Sequence, residues 1–335
     1  MAASEIHVVD AQDWTEIPES VLSATEPVIL RGLVANWPCV SLQRDDSDAA
    51  LAMLAESYSG RPVSTFLGEA EIKGRFFYDE ELTGFNFLQL EARLDDVIAK
   101  LKEHRGDQYA PAIYVGSTNL DAWLPGFRTQ NDLPLDALDP VASLWIGNKT
   151  RVAPHFDLPQ NIACCVMGRR RFTLFPPEQI ENLYVGPLDL TPAGQPISLV
   201  DFDDIDTRLF PKAETALRHA VIADLEPGDA LLVPSMWWHQ VEALDDINIL
   251  VNYWWSTVPE FLGAPSDALL HAMLSIRGLP KPQKDAWRRF FDYYIFEADA
   301  LTHQHIPESA LGRLGAMDET RAKRARALLL NQLKR

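Results

Sequence analysis

His155 and Asp157 stand two residues apart in the stretch Thr150-Arg151-Val152-Ala153-Pro154-His155-Phe156-Asp157, and no other feature constrains the fold as strongly. On a β-strand, residues at this spacing project to one face, so an imidazole and a carboxylate enter the same cavity. Together they can fill two neighbouring positions on a divalent iron, and a histidine from elsewhere completes a three-ligand face with the remaining positions open. His239 is the candidate for that third place. It follows Pro227-Gly228-Asp229 and the apolar run Ala230-Leu231-Leu232-Val233, which read as a turn and a short strand with the histidine at its far end. With eight histidines in the chain, H-x-D and a distant H is a weak pattern by itself. The plain alternative is two satisfied core histidines and a loop carboxylate. That alternative leaves an aspartate among apolar strands, which is costly without a cation or hydrogen bonds.

The chain has 335 residues, 47% of them hydrophobic, enough for one large domain with appendages or for two domains. Its formal charge of −18 argues against nucleic acid or an anionic membrane as partner and is accounted for by solubility. The three cysteines are Cys39, Cys164 and Cys165. Adjacent strand cysteines face opposite ways, so a disulfide framework is not expected and a reducing, cytoplasmic setting is. No apolar run reaches the length of a membrane span, and residues 1–30 lack a basic-then-apolar signal pattern. A soluble, unexported protein is the expectation.

Along the chain, Pro27 to Leu33 reads as a short buried strand, followed by a turn at Asn36-Trp37-Pro38. Asp48 is placed as the cap of a helix through Leu51, Leu54 and Tyr58 that ends at Gly60. Residues 62–67 and 75–78 read as strands, and helical spacing from Leu90 through Leu94, Val97, Ile98 and Leu101 predicts a helix stopping near Gly106. From residue 112 the pattern becomes eight short strands, at 112–116, 143–147, 151–157, 162–167, 171–175, 221–224, 230–233 and 247–254, which suits a two-sheet jelly roll. The connection 176–219 contains a helical turn at 178–183 and an irregular excursion expected to cross the barrel mouth.

After Pro259 the chain reads as helices at 267–276, 284–297, 307–315 and 318–333. The second carries Trp287, Phe290, Phe291, Tyr294 and Ile295 on one broad apolar face. Either the barrel or a second chain must cover it. There is no internal repeat and no low-complexity segment. The expected organisation is N-terminal α/β elements over 1–110, a jelly-roll core over 111–258 and a helical region over 259–335.

Several motifs fall in one order: Leu144-Trp145-Ile146-Gly147, Ala153-Pro154-His155-Phe156-Asp157, Gln160-Asn161, Gly168-Arg169-Arg170-Arg171-Phe172, Phe175-Pro176-Pro177, Pro227-Gly228-Asp229, Trp237-Trp238-His239 and Val251-Asn252-Tyr253-Trp254. Over about residues 110–258 this set resembles the cupin-like JmjC oxygenases, its asparaginyl hydroxylases in particular. The resemblance implies a mainly β fold with α elements, a double-stranded β-helix of the cupin type. It also implies Fe(II), 2-oxoglutarate as co-substrate and O2, with hydroxylation of an unactivated C–H bond of a peptide side chain or a small amino-acid-like substrate and release of succinate and CO2. Many members act on protein side chains or demethylate lysine.

By the same resemblance, His155, Asp157 and His239 are the metal ligands, while Asn161, Asn252 and Tyr114 line the co-substrate site. The position of the hydroxylases' anchoring lysine falls on Arg170, and a threonine that assists it there is replaced by Val152. Read as residues alone, Asn161 and Asn252 equally suit strand-end capping, Tyr114 a half-buried wall, and Arg169-Arg170-Arg171 a solvated hairpin tip with at least one member turned inward by alternation. Arg169 or Arg171 would serve as anchor if the register were off by one. The adjacent cysteines read as small core residues, and the tryptophans as core and pocket wall. The resembled hydroxylases dimerise through helices after the barrel, so a homodimer through the C-terminal helices is expected. Two rivals are a metal-dependent cupin enzyme without 2-oxoglutarate and a non-catalytic ligand-binding cupin module.

Overall fold

The computed structural model describes residues 5–299 and 301–334, and divides the chain into two compact units, Met1–Ser256 and Thr257–Arg335. The strands of the first unit are β1 His7–Asp10, β2 Val28–Arg31, β3 Val63–Gly68, β4 Arg75–Phe76, β5 Leu88–Ala92, β6 Ala112–Asn119, β7 Val141–Gly147, β8 Arg151–Phe156, β9 Gln160–Met167, β10 Arg170–Phe175, β11 Val221–Leu225, β12 Ala230–Val233, β13 Trp238–Ala243 and β14 Asn248–Trp255. They form two sheets, a large one ordered β1-β2-β12-β9-β14-β7-β6-β3-β5 and a small one ordered β11-β10-β13-β8-β4. This is the two-sheet jelly roll expected from the spacing of short strands. Most pairings are antiparallel; β1 with β2 and β4 with β8 are parallel.

Burial explains why the strands differ in composition. In the middle of the large sheet, β9 and β14 are covered on both faces and read as nearly continuous apolar runs. The edge strand β11 alternates buried and exposed residues instead. Cys164 belongs to the apolar layer shared with the helices of residues 47–57 and 94–103, whereas Cys165 belongs to the layer that includes Phe172, Leu231 and Leu250. Opposite faces therefore hold the two adjacent thiols, and all three cysteines are free.

Several local expectations need correction. Asp46, not Asp48, caps the helix Ser47–Ser57, because its carboxylate accepts from the backbone N–H groups of Asp48 and Ala49. Leu90 lies in β5 and the following helix begins at Leu94; pairing of β5 with β3 outweighs the helical spacing of Leu90. Three strands were not expected, β1, β5 and β13. The last matters most, since His239 is the second residue of β13 and not the end of β12. The connection after β10 also holds a helix, Ala213–His219. Residues 307–315 form two 3-10 turns, not one helix. No helix among the described residues is long and apolar enough to cross a membrane.

In the second unit the helices are Pro265–Ser275, Lys281–Phe291 and Glu319–Leu333, and the helix ending at Phe291 continues as a π-turn through Phe296. Among the described residues of this unit only Ala322 is buried. Trp287, Phe290 and Tyr294 follow one another along one face, with ring centroids 5.5 and 6.0 Å apart, and all three are exposed.

Asp229 ties the first strands to the barrel. Its carboxylate accepts from the backbone N–H groups of Gly32 and Glu226, both at 3.0 Å, and from the Arg31 guanidinium. Gly228 has φ +106°, and a Cβ there would lie 3.2 Å from the Ala35 Cα, so only glycine brings the two segments this close. The Gly228 N–H donates to Cys165 and its carbonyl accepts from Val34. Asp229→Ala strands two backbone donors and a guanidinium, so a loss of about 2–4 kcal/mol is expected from urea unfolding. A change below about 0.5 kcal/mol, the range of neutral surface substitutions, would show that this joint carries no stability.

Candidate metal and co-substrate site

Antiparallel pairing of β8 with β13 puts His155 directly across from His239. Their ring centroids are 4.3 Å apart. Each ring is oriented by its own strand: Nδ1 of His155 lies 2.9 Å from the Ala153 carbonyl, and Nδ1 of His239 lies 3.0 Å from the Trp237 carbonyl. A carbonyl only accepts, so Nδ1 carries a proton in both rings and Nε2 is the nitrogen left for a ligand. Burial, with neighbouring His239 next in weight, pushes the His155 pKa down to about 4 and keeps that imidazole neutral at neutral pH.

Asp157 follows β8 by one residue, and its backbone carbonyl accepts from Met236 N–H in the turn that leads to β13. Met236 has φ +68°, an uncommon conformation for a residue with a side chain, held at the point where the chain returns toward His239. The Asp157 Oδ2 lies 3.7 Å from His239 Nε2 and accepts from Trp254 Nε1 at 3.2 Å. One ligand atom from each of His155, Asp157 and His239 lies within 4.8 Å of the others. Two imidazole nitrogens and one carboxylate oxygen are the donor set that suits a divalent iron with open positions.

These residues line a cavity of about 340 Å³ that also contains Tyr114, Asn161, Arg170 and Asn252. Strand alternation separates the three arginines. Arg169 forks onto Asp245, with N–O distances of 3.1 and 2.9 Å, and Arg171 onto Asp224 at 2.7 and 3.1 Å. Arg170 points into the barrel, 3% exposed, and its Nε has no hydrogen-bond partner. Burial lowers the Arg170 pKa from its ordinary value and raises that of the Tyr114 phenol, which thus remains a donor. Asn252 Nδ2 donates to Asn161 Oδ1 at 3.3 Å and Asn252 Oδ1 accepts from Trp145 Nε1 at 2.7 Å, so the two asparagines form one network with an indole. Val152 is also on the wall.

The roof comes from the long connection after β10. Thr191, Pro192, Ala193 and Gly194 line the cavity, and the loop is pinned where Ser198 N–H donates to Pro154, one residue before His155. The Tyr78 hydroxyl holds it again through the Leu190 carbonyl at 2.7 Å. Sequence reasoning placed the connection at the mouth without finding these residues, nor Phe66, Phe76 and Gln89 on the wall. They come from separate strands and loops, and no local pattern links them.

Residues 14–261 match the family described as "Cupin-like domain". Among curated proteins, lysine-specific demethylase JMJ31 of Arabidopsis thaliana is 30% identical over 126 residues, 36% of this chain and 22% of that protein. HSPB1-associated protein 1 of Homo sapiens is 32% identical over 150 residues, 44% of this chain and 30% of that protein. Lysine-specific demethylase 8 of Xenopus tropicalis is 26% identical over 237 residues, covering 69% and 48%. The chain thus spans less than half the length of these three relatives. Because the match runs from Trp14 through every barrel strand to Phe261, the chain belongs to the cupin-like JmjC domain family.

Proposed function

We propose that the protein is an Fe(II)- and 2-oxoglutarate-dependent oxygenase that hydroxylates an unactivated C–H bond of a peptide side chain or a small amino-acid-like substrate, in the cytoplasm. The observation that carries this is the buried Arg170, whose Nε lacks a partner in the cavity that holds His155, Asp157 and His239. A desolvated guanidinium with an unmet donor is costly unless an anion joins it. A dicarboxylic acid with one end near the metal ligands answers that need, whereas a cupin enzyme without 2-oxoglutarate has no use for it. A non-catalytic binding module would not require two histidines held with both Nε2 atoms open.

When bound, iron(II) with 2-oxoglutarate and dioxygen supplies oxidative decarboxylation to succinate and CO2, coupled to insertion of one oxygen atom into a C–H bond. The protein's share is positioning. His155 and His239 would hold the ion through Nε2, and Asp157 through its carboxylate, oriented by the Trp254 indole. Arg170 would take the distal carboxylate of 2-oxoglutarate, with its planar fork favouring a bidentate pair. Tyr114 would donate its hydroxyl to the same end, and the joined amides of Asn161 and Asn252 would flank the co-substrate. The pinned loop over Thr191–Gly194 would exclude water. Two relatives are named lysine-specific demethylases.

The exposed apolar face bearing Trp287, Phe290 and Tyr294 supports a homodimer through the C-terminal helices, since obligate interfaces are apolar and extensive.

Three outcomes are expected. His239→Ala leaves two protein ligands, so Fe(II) affinity in anaerobic titration should fall at least ~100-fold, beyond what loss of an outer-shell partner costs, while circular dichroism stays unchanged. Undiminished iron binding would remove the ligand assignment. Arg170→Ala in the iron-loaded protein should weaken 2-oxoglutarate binding by about 2–5 kcal/mol, roughly 30- to 5,000-fold; equal affinity would place the anchor elsewhere. Sedimentation at micromolar concentration should give twice the chain mass, reduced to one by Phe290→Asp. A monomeric parent would rule out the dimer.

A further inference from the structure

We infer that the substrate side chain entering this cavity is uncharged, an amide, hydroxyl or hydrocarbon group, and not an alkylated ammonium or a guanidinium. This rests on the iron and 2-oxoglutarate reading and names the substrate class of the same site.

Among the described residues that line the cavity, Asp157 and Arg170 are those with a formal charge. Asp157 is committed to the metal, between His239 Nε2 and the Trp254 indole. With ion and co-substrate in place, the divalent ion and Arg170 balance Asp157 and the two carboxylates of 2-oxoglutarate. An incoming cation therefore finds no uncompensated negative charge and would share the cavity with a guanidinium. Burying a charge among apolar walls without a partner is among the least favourable events in a protein.

A cage of aromatic faces could replace the missing carboxylate, but the rings of this wall engage one another. Phe66 packs on Phe76, Phe87 and Tyr114 with centroids 6.1, 5.1 and 6.0 Å apart. The fourth ring, Tyr114, stacks on Trp145 at 6.0 Å, and Trp145 meets Trp254 edge to face at 5.7 Å. Phe76 and Tyr114 are almost wholly buried. The cluster is a packed wall, not a set of rings parted to receive a methylated nitrogen. Neutral dipoles complete the lining. Gln89 donates Nε2 to Ser64 Oγ at 3.0 Å, and Ser117 Oγ lies 3.0 Å from Ser143 Oγ, so a carboxamide oxygen and a hydroxyl remain as acceptors. Such groups can meet the N–H or O–H of a neutral side chain without a charge to balance.

The test uses the full chain loaded with Mn(II) and 2-oxoglutarate without oxygen, and two matched probes. One is N-acetyl-trimethyl-lysine amide; the other is its carbon isostere, with a tert-butyl group in place of the trimethylammonium. Calorimetric titration should show the neutral probe binding at least ~10-fold tighter. Gln89→Glu, which puts one carboxylate on the wall, should narrow or reverse that ratio. Equal or tighter binding of the cation by the parent, no saturable binding of the neutral probe, or a ratio unmoved by Gln89→Glu would overturn the inference. A 2-oxoglutarate titration on the same sample separates the two levels. If 2-oxoglutarate fails to bind, the oxygenase reading falls; if it binds and the cation is preferred, only the charge inference falls.

Discussion

The cross-strand pairing of β8 with β13 is the interaction on which the site depends. It sets His155 opposite His239 and, through the turn at Met236, brings Asp157 back against the second imidazole. Ladder hydrogen bonds fix the backbone, and each ring is then fixed by a carbonyl two residues before it. The spread of donor atoms is therefore decided by sheet register. A slip of one residue in either strand would turn that strand's histidine to the opposite face.

Around that pair, the structure handles charge in two ways. On the outside, Arg169 and Arg171 meet Asp245 and Asp224 in solvent-exposed forks, where such pairs contribute little to stability. Inside, Arg170 is desolvated and its Nε has no partner, a cost to the folded protein. Three adjacent arginines thus have two different roles because alternate strand residues face opposite ways. Arg170 lines the cavity that also holds His155, Asp157 and His239, while Met236, with its φ of +68°, lies in the turn that leads to β13.

The segments before the barrel are built into its sheets, β4 into the small one beside β8 and the others into the large one. β1 and β2 extend the sheet beside β12, while β3 and β5 extend it beside β6, carrying Phe66 and Gln89 to the cavity wall. Asp229 locks the first of these joints from the turn before β12. The apolar wall is therefore shared, with Phe66 and Phe76 from the N-terminal elements and Trp145, Phe172 and Leu250 from barrel strands.

What the sequence determined by itself was periodic or contiguous. Residues spaced by two on a strand identified His155 and Asp157, short apolar runs divided by glycine and proline indicated a jelly roll, and alternation required an inward arginine within residues 169–171. Ordered motifs added Asn161, Asn252 and Tyr114 by resemblance. Only the tertiary structure decided which arginine turns inward, that His239 rides on a strand of its own, and that Asp46 caps the helix assigned to Asp48. The pairing of Leu88–Ala92 with β3 likewise outweighed the helical spacing of Leu90, because ladder bonds to a neighbouring strand are invisible in a local pattern. The cavity wall was the least legible part. Phe66, Gln89, Trp145 and Thr191 lie far apart in the chain and meet only where two sheets and a loop converge, so their neighbourhood is a property of packing and has no local signature.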